Sequence, residues 1–258
     1  MRNLTNRPVI SFLLLLVIPI AGLSLGVGLG FLLGLNGTDA GNLIVNVVFL
    51  LVVLSIIPLY RFSLDELGLK IIKAKWGFHV AVSLAVFAGY LLMYIFVIRI
   101  SGLRPVDPGT IWGLITYAVV VMAEEIYFRG ILYRFLEKRY SDITALIGSS
   151  MFFGLLHATQ GVRGVVSRAI SGWLWGSIRY STGMILLIIF PIHFTYNSMW
   201  LLFEGNWNNP PAWAPYVLPL LEFLLGLAIV IFTNKRTRSE NQNREDGYSL
   251  PSQDLSDF

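Results

Sequence analysis

Four titratable side chains and one amide interrupt stretches of this chain that are otherwise apolar. Glu124 and Glu125 sit in VVVMAEEIYFRG, His157 ends MFFGLLH, and His193 lies in IIFPIHFTYN with Asn197 four residues on. An ionisable group at bilayer depth is costly unless it faces a cavity or a partner, so each of these is a candidate functional residue. Spacing divides the work among them. Residues four apart share a helix face, so Glu125 can pair with Arg129, whereas Glu124 is turned by about 100° and has no cation at that spacing. A carboxyl away from water and without a cation partner, with an imidazole close by, is suited to act as a general base on water. His193 and Asn197 share a face and can aim two donors at one small volume, and Phe153 with His157 repeats the interval, setting an aromatic ring beside an imidazole. Taken singly, a glutamate beside an arginine can be a plain buried ion pair and a membrane histidine a plain helix-to-helix hydrogen bond. Five such residues converging from three helices on one depth is a harder coincidence. His79 near an interface, and Glu204 and Glu222 near the outer boundary of the last two apolar runs, read as structural. The Gly26, Gly28, Gly30 repeat lies inside an apolar helix with no preceding strand, so it reads as helix packing and not as a phosphate cradle.

The elements that must carry these residues follow from composition. Of 258 residues, 55% are hydrophobic and 13% charged, with a mean hydropathy of +0.69, against roughly 25% charged in a soluble domain. This excludes an ordinary soluble enzyme, a disordered chain and, with no cysteine, a disulfide scaffold or thiolate chemistry. A membrane-spanning helix needs about 20 mostly apolar residues, and about eight runs qualify: 8–35, 43–60, 76–98, 110–140, 143–157, 165–178, 184–203 and 216–232. The expected fold is therefore all-α, a polytopic membrane protein. Glu124, about 14 residues into the fourth run at 1.5 Å per residue, falls roughly 20 Å along it. Fifteen of the 19 Lys and Arg fall on one set of alternate loops, which predicts both termini on the cytoplasmic side. The +4 net charge is explained by this topology and calls for no nucleic acid. The expected organisation is three N-terminal helices over 1–109 with an amphipathic cytoplasmic piece at 61–75, a core at 110–203, an outer loop and last helix at 204–232, and a disordered cytoplasmic tail at 233–258.

The order E-E-x-x-x-R (Glu124, Glu125, Arg129), F-x-x-x-H (Phe153, His157) and H-x-x-x-N (His193, Asn197) resembles the CPBP family of intramembrane proteases, which groups type II CAAX prenyl endopeptidases with bacteriocin-processing and self-immunity (Abi) proteins. Tyr127 to Gly130 are similar to the family's E-x-x-F-R-G continuation, and Arg179, Thr182, Gly183 and Pro191 to its approach to the third motif. The likeness covers roughly residues 110–200. The resemblance implies about eight transmembrane helices enclosing an intramembrane active-site cavity and peptide-bond hydrolysis inside it, with Glu124 activating water, His157 assisting, His193 and Asn197 stabilising the oxyanion, and Glu125, Arg129 and Phe153 supporting the architecture. Substrates would be membrane-associated peptides or proteins, in a bacterial plasma membrane.

Two questions stay open at this level. Glu124, His157 and His193 could ligate one divalent ion such as zinc with a position left for water, or Glu124 could serve as a metal-free base. The same fold could also bind a peptide, as a bacteriocin immunity protein does, without cutting it. A transporter reading would expect inverted repeats, and the chain has none. Oligomeric state has no sequence signal.

Overall fold

The structure is a computed structural model and describes residues 8–70, 76–186 and 192–247. Residues 71–75 of the expected amphipathic piece, Pro191, the tail beyond Gly247 and the side chain of His79 lie outside what is described.

The N-terminal helices are α1 (Pro8–Leu32), α2 (Asp39–Tyr60) and α3 (Trp76–Met93), the last extended by a π-helical turn, Tyr94–Ile98. α4 (Pro108–Glu125) passes into a π-helical segment, Ile126–Leu132, and on to α5 (Tyr133–Glu137) as one continuous rod. Then come α6 (Asp142–Leu155), a 3-10 turn at Ala158–Gln160, α7 (Gly161–Thr182), α8 (Phe194–Leu202) and α9 (Ala214–Gly247). A two-residue antiparallel pair, β1 (Gly102–Leu103) and β2 (Phe203–Glu204), ties the start of α4 to the end of α8.

Local chemistry sets the helix starts. Asp107 accepts a hydrogen bond from the Thr110 N–H at 2.7 Å and Pro108 opens α4, where its missing N–H costs nothing. Thr38 and Ser141 cap α2 and α6 in the same way. Gly183, with φ of 75°, ends α7 in the left-handed conformation that glycine adopts freely.

Val9–Leu32, Asp39–Tyr60, Val80–Ile98, Pro108–Glu137 and Ala214–Thr237 are each long and apolar enough to cross a bilayer. Their outer faces expose large hydrophobic side chains, among them Val17, Leu51, Phe96 and Leu221, as lipid contact requires. The chain is an all-α polytopic membrane protein.

Small residues let the central helices approach. A Cβ at Gly154 of α6 would lie 2.5 Å from the Val165 carbonyl oxygen and 2.7 Å from Ala169 Cβ, both on α7. Gly176 on α7 meets Leu146 of α6 as closely. In the N-terminal glycine repeat only Gly26 packs this way, against Val45 of α2; Gly28 and Gly30 face open space.

One end of the bundle is closed by the segment after α2. Ser63 and Glu66 form a reciprocal cap, with Ser63 N–H donating to Glu66 Oε2 at 3.0 Å and Glu66 N–H to Ser63 Oγ at 3.3 Å. Glu66 Oε1 takes Arg134 at 3.1 Å and Lys138 at 2.5 Å. Buried Arg179 donates to the carbonyls of Glu66 at 2.7 Å, Arg129 at 3.3 Å and Gly183. Glu66 is held at a pKa of about 2, below the ordinary 4.5, first by the Lys138 ammonium, then by the Ser63 N–H and Arg134.

Two expectations are corrected. Residues 233–247 are helical, because the polar stretch continues the hydrogen-bond ladder of α9 and contains no proline or glycine before Gly247. The sixth apolar run, 165–178, is part of α7, which starts at Gly161 and ends at Thr182 and is longer at both ends, since Arg163, Arg168 and Arg179 dilute its hydropathy without breaking it.

Candidate active site

The last turn of α4 carries both glutamates, His157 follows the C-terminus of α6, and His193 sits in the π-helical turn that opens α8. The helix ends bring three of these groups together. Glu124 Oε2 lies 3.4 Å from His193 Nε2, and Glu124 Oε1 lies 4.0 Å from His157 Nε2. Glu124 and His157 keep 16% and 19% of their side-chain exposure, while His193 keeps 1%, so the carboxyl and one imidazole are reachable and the other imidazole is enclosed.

Each imidazole is held by its far nitrogen. His157 Nδ1 is 2.8 Å from the Phe153 carbonyl oxygen, which can only accept, so the proton stands on Nδ1 and the Nε2 lone pair faces Glu124. His193 Nδ1 is 2.8 Å from Glu125 Oε1, and the same oxygen accepts from Arg129 at 3.0 Å. That guanidinium also donates to the Gly172 carbonyl at 3.2 Å. Glu125 and Arg129 are fully buried, and removing one partner of such a pair costs about 3–5 kcal/mol.

Aromatic rings fix the walls. The Phe153 ring stands edge-on to His157 at 4.8 Å and to His193 at 6.1 Å, with the Arg129 guanidinium 4.5 Å over it. The Trp175 ring lies 3.9 Å from the His193 imidazole, inclined by 32°. Gly172 is required where α7 passes: a Cβ there would stand 3.2 Å from both Arg129 and Phe153.

Asn197 is on α8 one turn after His193 and half-buried. It is not joined to the other three by any hydrogen bond among the described residues, so helical spacing alone places it on their side.

The sequence reading overlooked a second polar chain that backs onto this one. Trp175 Nε1–H donates to the Tyr90 hydroxyl at 3.1 Å, and that hydroxyl donates to Glu222 Oε1 at 2.7 Å. Ser171 Oγ donates to Glu222 Oε2 at 2.8 Å. Glu222 is thus a buried residue of the interior, 7% exposed, and not a boundary residue. It lies eight residues into α9, roughly 12 Å along it, and the rule that singled out Glu124 applied to it equally.

Among the described residues no three His, Asp or Glu side chains form an arrangement able to hold a metal ion. The 4.0 Å gap between Glu124 and His157 exceeds the roughly 3.4 Å edge of a tetrahedron with ligand bonds near 2.1 Å. The trio as placed does not fit a closed three-ligand centre. A gap of that size is suited to a water accepted by both groups.

Residues 105–199 match the family model of the Rce1-like type II CAAX prenyl endopeptidases, a span that begins just before α4 and takes in Glu124, His157, His193 and Asn197. No curated protein and no solved structure matches the chain. The likeness to the Rce1-like type II CAAX prenyl endopeptidases is confined to this central segment, which carries the candidate site.

Proposed function

We propose that this protein is an intramembrane endopeptidase that hydrolyses a peptide bond of a membrane-associated peptide or protein with a water activated by Glu124. The observation that carries the reading is the facing of Glu124 by the Nε2 atoms of both histidines, each ring tied at Nδ1.

In this reading a water bound between Glu124 and His157 Nε2 gives a proton to the Glu124 carboxylate as its oxygen attacks the scissile carbonyl carbon. Because Glu125 holds the Nδ1 proton of His193, a ring that is doubly protonated before the reaction begins carries its second proton on Nε2, beside Glu124, and keeps it throughout. There it serves the oxyanion together with the Asn197 amide. A preorganised donor in a dry site is worth about 100-fold to 1000-fold in rate. Collapse of the tetrahedral intermediate breaks the C–N bond, the proton on Glu124 passes to the departing amine, and the remaining proton of the attacking water leaves the new carboxyl group for that amine, giving a carboxylate and an ammonium group as products. Glu125, Arg129 and Phe153 hold the imidazoles. The protein is read as multi-pass in a bacterial plasma membrane with both termini cytoplasmic.

The test is cleavage of a quenched peptide library by purified wild type, Glu124→Gln and His193→Ala in detergent. Loss of turnover in both variants, with retained monodispersity, is expected. Equal turnover by Glu124→Gln would overturn the assignment, and wild-type phenotype in cells from that variant would favour a protein that binds its peptide without cutting it.

A further inference from the structure

Beside the candidate site a cavity of about 340 Å³ opens between α7, α8 and the start of α9. Its polar lining is Gln160, Arg163, Ser167, Arg168, Tyr196 and Glu222. Glu222 is already engaged by Tyr90 and Ser171, and Arg163 is an exposed residue stacked over the Tyr216 ring at 4.9 Å. Arg168 differs from both. It lies seven residues into α7, roughly 10 Å from its start, half-buried, with its guanidinium over the Tyr196 ring at 5.4 Å. Among the described residues no carboxylate comes within ion-pair distance of it. The Tyr196 ring under it packs edge-on against Trp175 at 5.6 Å, and Trp175 in turn lies 3.9 Å from His193, so the cavity stands one ring away from the proposed reacting centre.

A half-buried guanidinium that lines a cavity without an ion pair is set to receive an anion. Its planar fork matches a carboxylate with two parallel hydrogen bonds, and stacking on Tyr196 holds the fork in place. We infer that this cavity is a subsite for a carboxylate of the peptide substrate, with the Arg168 guanidinium as its receptor. The inference rests on the endopeptidase reading and adds a specificity to it: substrates are anionic on one side of the cleaved bond. Bland charge balance against Glu124 makes a different prediction, because a field of that kind favours neutral and anionic peptides alike.

The experiment uses quenched octapeptides in four forms, with a terminal carboxylate or amide combined with an internal glutamate or glutamine. Wild type, Arg168→Gln and Arg168→Lys are compared in neutral-lipid nanodiscs. Neutralising one of the two carboxylates lowers wild-type kcat/KM by about 10-fold to 100-fold, mostly through KM, as expected for a charge-assisted pair. Which carboxylate matters identifies the end of the peptide that enters. Arg168→Gln cleaves acid and neutral forms alike at the lower rate, and Arg168→Lys restores part of the preference, which a misfolded variant would not do. Equal cleavage of all forms by wild type, or a preference that survives in Arg168→Gln, overturns the inference. So does a preference that vanishes when anionic phosphatidylglycerol replaces part of the neutral lipid, which would make the ligand a headgroup. Fluorescent peptide binding to Glu124→Gln separates the two readings: carboxylate-dependent binding abolished by adding Arg168→Gln upholds the subsite even where wild type cleaves nothing.

Discussion

Replacing Tyr90 by phenylalanine removes one oxygen from the chain that links α3, α7 and α9, and the structure says what that oxygen holds. It accepts the Trp175 indole N–H at 3.1 Å and donates to Glu222 at 2.7 Å, and all three side chains are buried. The substitution leaves no large void, so the cost is that of two polar groups losing partners. An orphaned buried donor or acceptor costs about 1–3 kcal/mol; Glu222 keeps Ser171, so the total comes to about 2–4 kcal/mol. Tyr94→Phe is the control, because its hydroxyl makes one 3.2 Å bond to the Tyr196 carbonyl and should cost about 1 kcal/mol. Denaturant titration in mixed micelles reads both. Turnover adds an independent signal: Trp175 is the surface on which His193 rests at 3.9 Å, so a loosened indole should lower kcat about tenfold with KM little changed. If Tyr90→Phe costs no more than Tyr94→Phe, the polar chain is not the support described, and the reasoning fails.

Glu66→Gln tests the closed end of the bundle. The carboxyl has a folded pKa of about 2 against an ordinary 4.5, so its stabilisation is complete above pH 4.5 and disappears as pH falls toward 2. The variant should be about 1 kcal/mol less stable at neutral pH and show a flatter loss between those values, and parallel acid curves would contradict the ion-pair description. Gly154→Ala places a methyl group 2.5 Å from a main-chain oxygen of α7, so it should destabilise by about 1–3 kcal/mol or more, whereas Gly28→Ala, in open space, should be neutral or slightly stabilising. Chelator treatment of purified protein should leave peptide turnover unchanged; inhibition reversed by zinc would instead make His157 and His193 ligands.

The long apolar helices were legible because a bilayer demands about 20 consecutive apolar residues and little else produces them. α7 was harder, since three arginines and several glycines and serines dilute it, and its job is to pack against α6 and α9 more than against lipid. The two-residue strands at Gly102–Leu103 and Phe203–Glu204 carry no periodicity that a sequence could betray. Within the site, helical spacing indicated the Glu125–Arg129 pair, but the bond from Glu125 to His193 spans 68 positions and depends on how α4 meets α8. Trp175 and Tyr90 were invisible for a related reason: aromatic residues are common in membrane helices, and only the packing shows that these two meet. Glu222 was legible in principle and was misplaced because helix boundaries read from hydropathy are uncertain by several residues.

In Ile126–Leu132 the main chain bonds to the fifth residue back instead of the fourth, so the rod gains a residue without completing a further turn. Glu124 and Glu125, just before that segment, belong to the candidate site, and Arg134 and Lys138, just after it, belong to the junction with Glu66. Deleting one residue there would let the helix return to its ordinary winding with the turns on either side near their present phase, leaving Arg134 and Lys138 by Glu66 and Glu124 and Glu125 where they are, while the side chains within the wide turn, Arg129 among them, would be re-aimed. The extra residue is therefore what sets the direction of Arg129 and its neighbours, and its loss would be felt in the candidate site before it was felt at the junction with Glu66.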